Sequence, residues 1–179
     1  MAKQLVSIGT VANDGTGDPI RTAFGKVNDN FDEVYSFTGW QSRTSATPVS
    51  LAGATNNSIV ITGTVSENGG LTLLDSKSRI TPIALNDVVT VDFAFTVETP
   101  VGTGNYIEVG LFVSGAGFYR NQTFPLLKGS GVDDFISVSW VLPVGSTFLA
   151  NGGDIVLVPN VAMDVKDLYI NVTRVHKGQ

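Results

Sequence analysis

The feature of this sequence that most restricts its fold is the strict alternation within residues 88–97. Every second position is apolar, at Val89, Val91, Phe93, Phe95 and Val97, and polar or small residues fill the positions between them. Successive side chains of a β-strand point to opposite faces, so this period of two predicts a strand that is buried on one face. A helix would need apolar residues every three or four positions and is excluded here.

Similar strand-sized segments, separated by clusters of Gly, Pro, Asn and Asp, fill the chain after Pro48. We predict strands at residues 59–62, 71–74, 88–97, 106–113, 135–142, 155–158 and 168–175. Within 135–142, the inward-facing side chains should be Ile136, Val138, Trp140 and Leu142. Many short strands without intervening helices indicate a mainly β fold, an antiparallel jelly-roll-like sandwich, with an immunoglobulin-like topology as the alternative.

A helical period replaces the strand period near the N-terminus. The apolar positions there are spaced 4-3-4-3, at Ile20, Phe24, Val27, Phe31 and Val34. Before them, Asp18 can accept the unpaired amides of a first turn, and Pro19 suits the first helical position. Gly39 is a typical helix stop. The fold should therefore begin with a short N-terminal arm and one amphipathic helix.

These five apolar residues form what we call the apolar stripe, which has two alternative partners. The stripe can pack on the chain's own β domain, as amphipathic helices usually do. Alternatively, its spacing is that of a short coiled coil, in which three copies bury the stripe against one another. We predict three segments, namely the arm and helix at residues 1–40, a small polar linker at 41–47 and the β domain at 48–179.

Composition excludes several classes of function. The chain has no cysteine, and its one histidine is His176, so thiol chemistry and a Ser-His pair are not expected. The net charge is −5 and the basic residues are scattered, which argues against nucleic acid as a partner. No apolar run is long enough for membrane insertion. We expect no enzyme, and we interpret Asp92, Glu108, Asp133 and Asp134 as ordinary surface carboxylates.

The turn before the helix is similar to two kinds of ligand-binding loop and departs from both. Its two glycines precede a helix as in a phosphate-binding loop, but the flanking Asp14 and Asp18 would repel a phosphate. Asp14, Thr16 and Asp18 are two positions apart as in a calcium loop. However, Pro19 replaces the turn glycine of that loop, and Gly25 replaces its closing glutamate. We therefore expect a tight turn and a helix cap, with no cofactor and no metal.

Residues 9–35 carry a specific resemblance to a known family. They read GTVANDGTGDPIRTAFGKVNDNFDEVY. This resembles the N-terminal segment of many structural proteins of tailed phages, whose pattern is close to GTxANDGTGDxLRxAFxKxNxNFxExY. The turn, the arginine and both phenylalanines agree in register. Ile20 departs mildly from the leucine of the pattern, and Gly25 departs more, since a glycine inside a helix costs about 1 kcal/mol relative to alanine.

The resemblance implies a virion structural protein, made in the host bacterial cytoplasm, in which a common N-terminal module is joined to a varied distal domain. Residues 1–40 would then serve virion attachment or trimerisation. The residues assigned to this role are Asp14, Gly15, Gly17, Asp18, Arg21, Phe24, Val27, Asn28, Phe31 and Val34. Asp18 would cap the helix and Arg21 would pair with an acidic neighbour. Phe24 and Phe31 would be the buried anchors.

We therefore expect a head decoration protein or short fibre, a homotrimer that contacts other virion proteins such as the major capsid or tail proteins. The alternative is a tail fibre or tail-associated protein that binds a host surface glycan. The exposed aromatic residues expected to serve such binding are Trp40, Tyr106, Phe118 and Tyr119. An enzyme that degrades host polysaccharide ranks third, because no acid and base pair stands out.

Overall fold

The computed structural model of the chain describes residues 4–11, 15–35 and 39–176. The helices are α1 (Ile20–Tyr35) and α2 (Ser146–Asn151). The strands are β1 (Gly39–Ser45), β2 (Val49–Leu51), β3 (Asn57–Ser58), β4 (Val65–Asn68), β5 (Val88–Glu98), β6 (Tyr106–Val113), β7 (Gly117–Pro125), β8 (Asp133–Pro143), β9 (Asp154–Pro159) and β10 (Met163–His176). Over the described ranges, no helix has the length and apolar character needed to cross a membrane.

Six strands form the larger sheet, in the order β4-β1-β10-β5-β8, with β2 paired to the beginning of β10. All of its strand pairs are antiparallel. Strand β10 lies at the centre, with Gln41 of β1 opposite Val172 and Phe93 of β5 opposite Ile170. The sheet therefore joins strands from both ends of the β domain.

Four strands form the second sheet, in the antiparallel order β3-β9-β6-β7. The inward rows of both sheets make one core, and Phe148 of α2 is buried in it. The largest fully buried side chains are Phe93, Phe95, Phe148, Ile61, Leu73, Leu74, Ile80, Ile107, Leu111, Leu142, Ile155 and Leu157. In β8, Ile136, Val138, Trp140 and Leu142 are buried as predicted. The predicted class, a mainly β antiparallel sandwich after an N-terminal helix, is confirmed.

The strand predicted at residues 59–62 is not a strand. Ile61 is buried as its apolar character requires, but its amide donates to the Ser78 hydroxyl at 3.2 Å, and that hydroxyl donates back to the Ile61 carbonyl at 2.7 Å. A serine side chain thus satisfies the buried backbone in place of a neighbouring strand. Strands β1, β2, β3, β4 and β7 and the short helix α2 were not predicted.

The linker predicted at residues 41–47 is also wrong, because Gly39–Ser45 form strand β1 between β10 and β4. Its sequence is polar because Gln41 faces the core and is only 5% exposed. Gln41 Oε1 accepts the amides of Leu73 and Leu74 at 2.9 and 2.6 Å. In a β-strand, the amides of neighbouring residues point in opposite directions. Leu73 and Leu74 donate to the same oxygen, so this segment does not have strand geometry. The predicted strand at 71–74 is therefore absent, apart from an isolated bridge from Leu74.

A buried ion pair fixes the beginning of β5 against β10. Asp87 Oδ1 lies 2.8 Å from Arg174 Nη2, and the two side chains are 0% and 5% exposed. Asp87 Oδ2 accepts the amide of Ala84 at 3.0 Å, and the Asp87 carbonyl accepts the amide of Val144 at 2.8 Å. Asp87 thus joins the loop before β5, the segment after β8 and the end of β10.

Candidate functional site

The N-terminal arm lies along helix α1 and is held there by polar side chains. Asn30 Oδ1 accepts the amide of Gln4 at 2.9 Å, and Asn30 Nδ2 donates to the Gln4 carbonyl at 2.9 Å. The side-chain amide of Gln4 donates to Asp29 Oδ2 at 2.9 Å, and Lys26 Nζ donates to the Leu5 carbonyl at 3.0 Å. Asn30 therefore supplies the arm with the backbone partners that a neighbouring strand would otherwise provide.

Asp18 joins the other end of the arm to the helix. Its Oδ2 accepts the Ser7 amide at 2.8 Å and forms a 2.8 Å ion pair with Lys26 Nζ. The Asp18 amide donates to the Ser7 carbonyl at 2.8 Å. The hydrogen bonds from Lys26 and from the Ser7 amide hold the pKa of the Asp18 carboxyl below its ordinary value. These contacts give the Asp18 carboxylate the role of holding the arm, and the helix cap that we expected from it stays a prediction.

Two glycines of the turn are explained by this arrangement. Gly15 has a φ of +70°, in the left-handed region that favours glycine. Gly17 lies directly against the arm, and a Cβ added there would be 3.1 Å from the Ser7 carbonyl oxygen. Gly25 in α1 differs, since a Cβ added there would meet nothing within 4 Å. No contact within the described chain therefore requires a glycine at position 25.

Helical geometry separates the arm from the apolar stripe. At about 100° per residue, Lys26 and Asn30 lie roughly 90° or more around the helix from Phe24 and Phe31. Three stripe side chains are exposed, Ile20 to 76%, Phe24 to 62% and Phe31 to 55%. Among the described residues, none of these three belongs to the core of the β domain, which does not support packing of the stripe on that domain.

The arm adds further exposed apolar side chains to the same small module. Leu5, Ile8 and Val11 are all exposed. Together with the three exposed stripe residues they form what we call the module surface, which consists of Leu5, Ile8, Val11, Ile20, Phe24 and Phe31. Exposed apolar groups concentrated in so short a segment are typical of an interaction site.

The remaining predicted site residues occupy different environments. Arg21 and Asn28 are exposed on α1, and Val27 is half-buried. The ion pair predicted for Arg21 stays a prediction. Asp14 and the side chain of Val34 lie outside the described part of the chain.

Sequence reasoning missed the residues that hold the arm, chiefly Lys26 and Asn30. A signal was available, because both match residues that the phage pattern specifies and are four residues apart, on one side of a helix. Asn28, which we selected from the same pattern, is exposed, and the neighbouring asparagine makes the contacts. The resemblance therefore did not single out Asn30 as the residue that holds the arm, and the attachment role assigned to Asn28 stays a prediction.

Acidification should release the arm from the helix. The pKa of Asp18 is lower in the folded module than in the unfolded chain, so its contribution to stability is complete above about pH 3.9. That contribution is lost as the pH falls through the lower folded-state pKa. The Ser7 amide should then shift and exchange faster in NMR spectra. Asp18→Asn should remove this titration and Asp92→Asn should preserve it, whereas an unchanged Ser7 titration in Asp18→Asn would contradict the assignment.

The four aromatic residues considered for glycan binding are not brought together. Trp40 lies in β1 of the six-stranded sheet, and the other three lie in the four-stranded sheet. Tyr106 and Phe118 are at opposite ends of the β6–β7 pair, roughly 20 Å apart at about 3.3 Å per residue. Tyr119 packs against the core, and its hydroxyl donates to the Pro143 carbonyl at 2.7 Å. These residues do not form a common aromatic platform.

The four carboxylates considered for catalysis are bonded to separate neighbours. The pairs are Asp92 with Ser139 at 2.6 Å, Glu108 with Asn121 at 2.5 Å, Asp133 with Lys166 at 2.8 Å and Asp134 with Lys128 at 3.3 Å. Ionic and hydrogen-bonded surface contacts account for each of them. Among the described residues, no group of three or more His, Cys, Asp or Glu could hold a metal ion.

Sequence comparison identifies the N-terminal module. Residues 3–69 match the family described as Bacteriophage T4 gp9/10-like protein, N-terminal. The chain is therefore a phage virion structural protein that carries this shared module, and the resemblance seen in residues 9–35 is confirmed. A 33-residue segment is 54% identical to baseplate wedge protein gp10 of Enterobacteria phage T4. That segment covers 18% of this chain and 6% of the T4 protein, so the two share only a small part of their length.

Two solved structures are similar to more than three quarters of the chain. PRD1 vertex protein P5 is similar over 78% of this chain and 73% of its own, with a TM-score of 0.51 and 18% identity. Eiger TNF from S. frugiperda is similar over 79% of this chain and 94% of its own, with a TM-score of 0.49 and 7% identity. At such low identity, the likeness to the PRD1 protein concerns the fold alone.

Proposed function

We propose that the N-terminal module attaches this protein to the phage particle and that the β domain faces outward. The observation that carries the proposal is the exposure of Phe24 and Phe31 on a helix whose polar side is already occupied by the arm. Full burial of one such side chain stabilises a complex by about 1.5–3 kcal/mol. The module surface therefore supplies a substantial driving force for docking onto another virion protein.

The tail is the location that we propose on the particle. The supporting observation is that the T4 relative is a baseplate wedge protein, which makes tail proteins the expected neighbours. A head decoration protein, attached to the major capsid protein, is the alternative location. The proposal assigns the chain a structural role without catalysis.

We also propose that the chain works as a homotrimer. The stripe has the 4-3-4-3 spacing of a coiled-coil seam. A helix of 16 residues is marginal when isolated in water and gains most of its stability from burial of its apolar side. Association of three helices, or docking of the trimer on a virion protein, would provide that burial.

Phe24→Asp should abolish incorporation into particles. A charge placed in a buried apolar contact costs several kcal/mol unless it is paired, so the bound amount should fall roughly tenfold or more. Thr22→Asp is the matched control, because Thr22 is exposed on the opposite side of α1. Particles made with each variant as the sole copy should be purified, separated into heads and tails, and quantified by mass spectrometry.

Two outcomes of this experiment would count against the proposal. Normal incorporation of Phe24→Asp would mean that attachment does not use the module surface. An equal loss of incorporation with Thr22→Asp would mean that a charge anywhere on α1 prevents attachment. The stripe would then have no special role. Wild-type protein in the head fraction would overturn the tail location while preserving attachment by the module.

A further inference from the structure

The outer face of the six-stranded sheet, on the side away from the core, carries almost no charge. Its side chains are Trp40, Ser42 and Thr44 of β1; Tyr169, Asn171, Thr173 and Val175 of β10; Thr90, Asp92, Ala94 and Thr96 of β5; and Phe135, Ser137, Ser139 and Val141 of β8. Among these side chains, Asp92 is the one that is charged at neutral pH, and at one end of the face the same rows continue into Lys166, Glu98 and Asp133. Its two carboxylate oxygens accept hydrogen bonds from Ser139 Oγ at 2.6 Å and Asn171 Nδ2 at 3.2 Å. A face left in water would be expected to carry charges of both signs.

Apolar side chains are exposed on the β8 side of this outer face. Phe135 is 69% and Val141 63% exposed, although the alternate side chains of the same strand are buried in the core. At one end of the face, Lys166 and Asp133 form a 2.8 Å ion pair. An uncharged, partly apolar surface bordered by ionic groups has the composition of a protein interface.

Among the strands that the structure describes, β8 also forms one edge of the larger sheet. It is 11 residues long, it pairs on one side with β5, and residues 135–142 contain neither charge nor proline. Natural edge strands are usually short, charged, bulged or interrupted by proline, because free amides and carbonyls invite pairing. The opposite edge, β4, has four residues and includes Glu67. In the other sheet, the edge strand β7 carries Arg120 and pairs through an irregular register.

We propose that the outer face and the β8 edge are the contact between copies of this chain. The inference rests on the homotrimer of the proposed function and locates its interface in the β domain. A second copy is the occupant because the chain has a net charge of −5, so identical molecules repel unless they meet through an uncharged surface. A partner of opposite charge would instead be selected by a charged face.

The size and asymmetry of the surface suit a closed ring. Four strands about 4.8 Å apart, each with roughly eight residues of about 3.3 Å, make a face on the order of 500 Å². This is the same order as the about 800 Å² that one partner brings to a standard interface. A ring requires two different complementary patches on each copy. The apolar edge at β8 and the uncharged face over β5, β10 and β1 provide them.

The test compares self-association of full-length variants by analytical ultracentrifugation over micromolar concentrations. Wild type should have three times the mass of 18.9 kDa. Val141→Glu should weaken association roughly tenfold or more, because it places three like charges in the ring. The matched control is Val60→Glu, since Val60 is also exposed but follows β3 of the other sheet. This control should associate like wild type.

A second variant, Ser137→Arg, charges the middle of the same face without touching the core and should also dissociate the trimer. Normal association of both Val141→Glu and Ser137→Arg, with unchanged circular dichroism, would overturn this interface. This result would not affect the proposal that the module attaches the protein to the particle, because the incorporation of Phe24→Asp tests that proposal separately. A wild-type monomer throughout the concentration range would overturn both this interface and the trimer, but again not the attachment.

Discussion

Removal of residues 1–38 should leave a folded β domain that no longer joins the phage particle. Strand β1 begins at Gly39, and the buried hydrophobic residues that the structure identifies begin at Leu51. Within the described part of the chain, no stripe residue belongs to that core, so removal of the stripe should leave the melting temperature within a few degrees of wild type. Incorporation should fall to background, because the whole module surface is lost. Circular dichroism and particle mass spectrometry would measure the two effects.

A slightly longer truncation, of residues 1–45, is the matched control. It also deletes β1, and with it the Gln41 oxygen that accepts the buried amides of Leu73 and Leu74. Each unpaired buried amide costs about 1–3 kcal/mol, and the sheet also loses a seven-residue strand. This variant should be unfolded or insoluble. If the shorter truncation is insoluble as well, the helix belongs to the β domain and the modular interpretation is wrong.

Asp87→Ala should be among the most destabilising single substitutions in the β domain. It leaves the Arg174 guanidinium, which is 5% exposed, without its buried carboxylate partner, and it also removes the acceptor of the Ala84 amide. Breaking one side of a buried ion pair costs about 3–5 kcal/mol, because the remaining charge is uncompensated. Urea denaturation followed by tryptophan fluorescence would measure the loss in free energy of unfolding.

Asp154→Ala is the appropriate comparison, because it breaks a different arginine pair by the same change. Asp154 Oδ2 lies 2.7 Å from Arg79 Nη2, but the two side chains are 27% and 38% exposed. Solvent screens such a pair, and its loss should cost less than about 1 kcal/mol. Equal effects of the two substitutions would contradict the buried position of Asp87.

Alternation of apolar residues predicted the central strands well because, within one chain, each sheet has one face in the core and one face outside it. In β5 and β8 every second side chain is buried, and the period of two in the sequence follows directly from that geometry. Arg174 carried a further signal that went unused. It follows Ile170 and Val172 in the row of β10 side chains that face the core. A cation at such a position implies a buried acidic partner nearby.

The strands that escaped prediction lack that alternation for physical reasons. Strand β7 is an edge strand with most residues exposed, so neither face imposes an apolar pattern. Strand β1 is polar because Gln41 faces inward and serves other backbone segments. Conversely, two segments were wrongly predicted as strands. Ile61 and Leu73 are apolar because they are buried, but their amides donate to side-chain oxygens and not to a neighbouring strand. Burial therefore determined the sequence pattern more strongly than secondary structure did.

The candidate site was predictable where it depends on the helix and unpredictable where it depends on the arm. The 4-3-4-3 spacing located the exposed Phe24 and Phe31, because apolar periodicity reports a common helix side directly. The contacts of Lys26 with Leu5 and of Asn30 with Gln4 join residues more than 20 positions apart. Nothing in local spacing encodes such contacts, so only the phage pattern, read position by position, could have indicated them.

The pairing of β1 with β10 has a consequence for the order in which the protein folds during synthesis. Gly39 pairs with Arg174, so the central strand of the larger sheet leaves the ribosome after all of its neighbours. Until then, β1 and β5 each lack the neighbouring strand on one side. Contacts of such sequence separation form slowly, in about milliseconds to seconds. The arm and α1 need no later segment for their mutual hydrogen bonds. The contacts between the arm and α1 can thus form while the chain is still growing, whereas the larger sheet is completed only when β10 brings both ends of the β domain together.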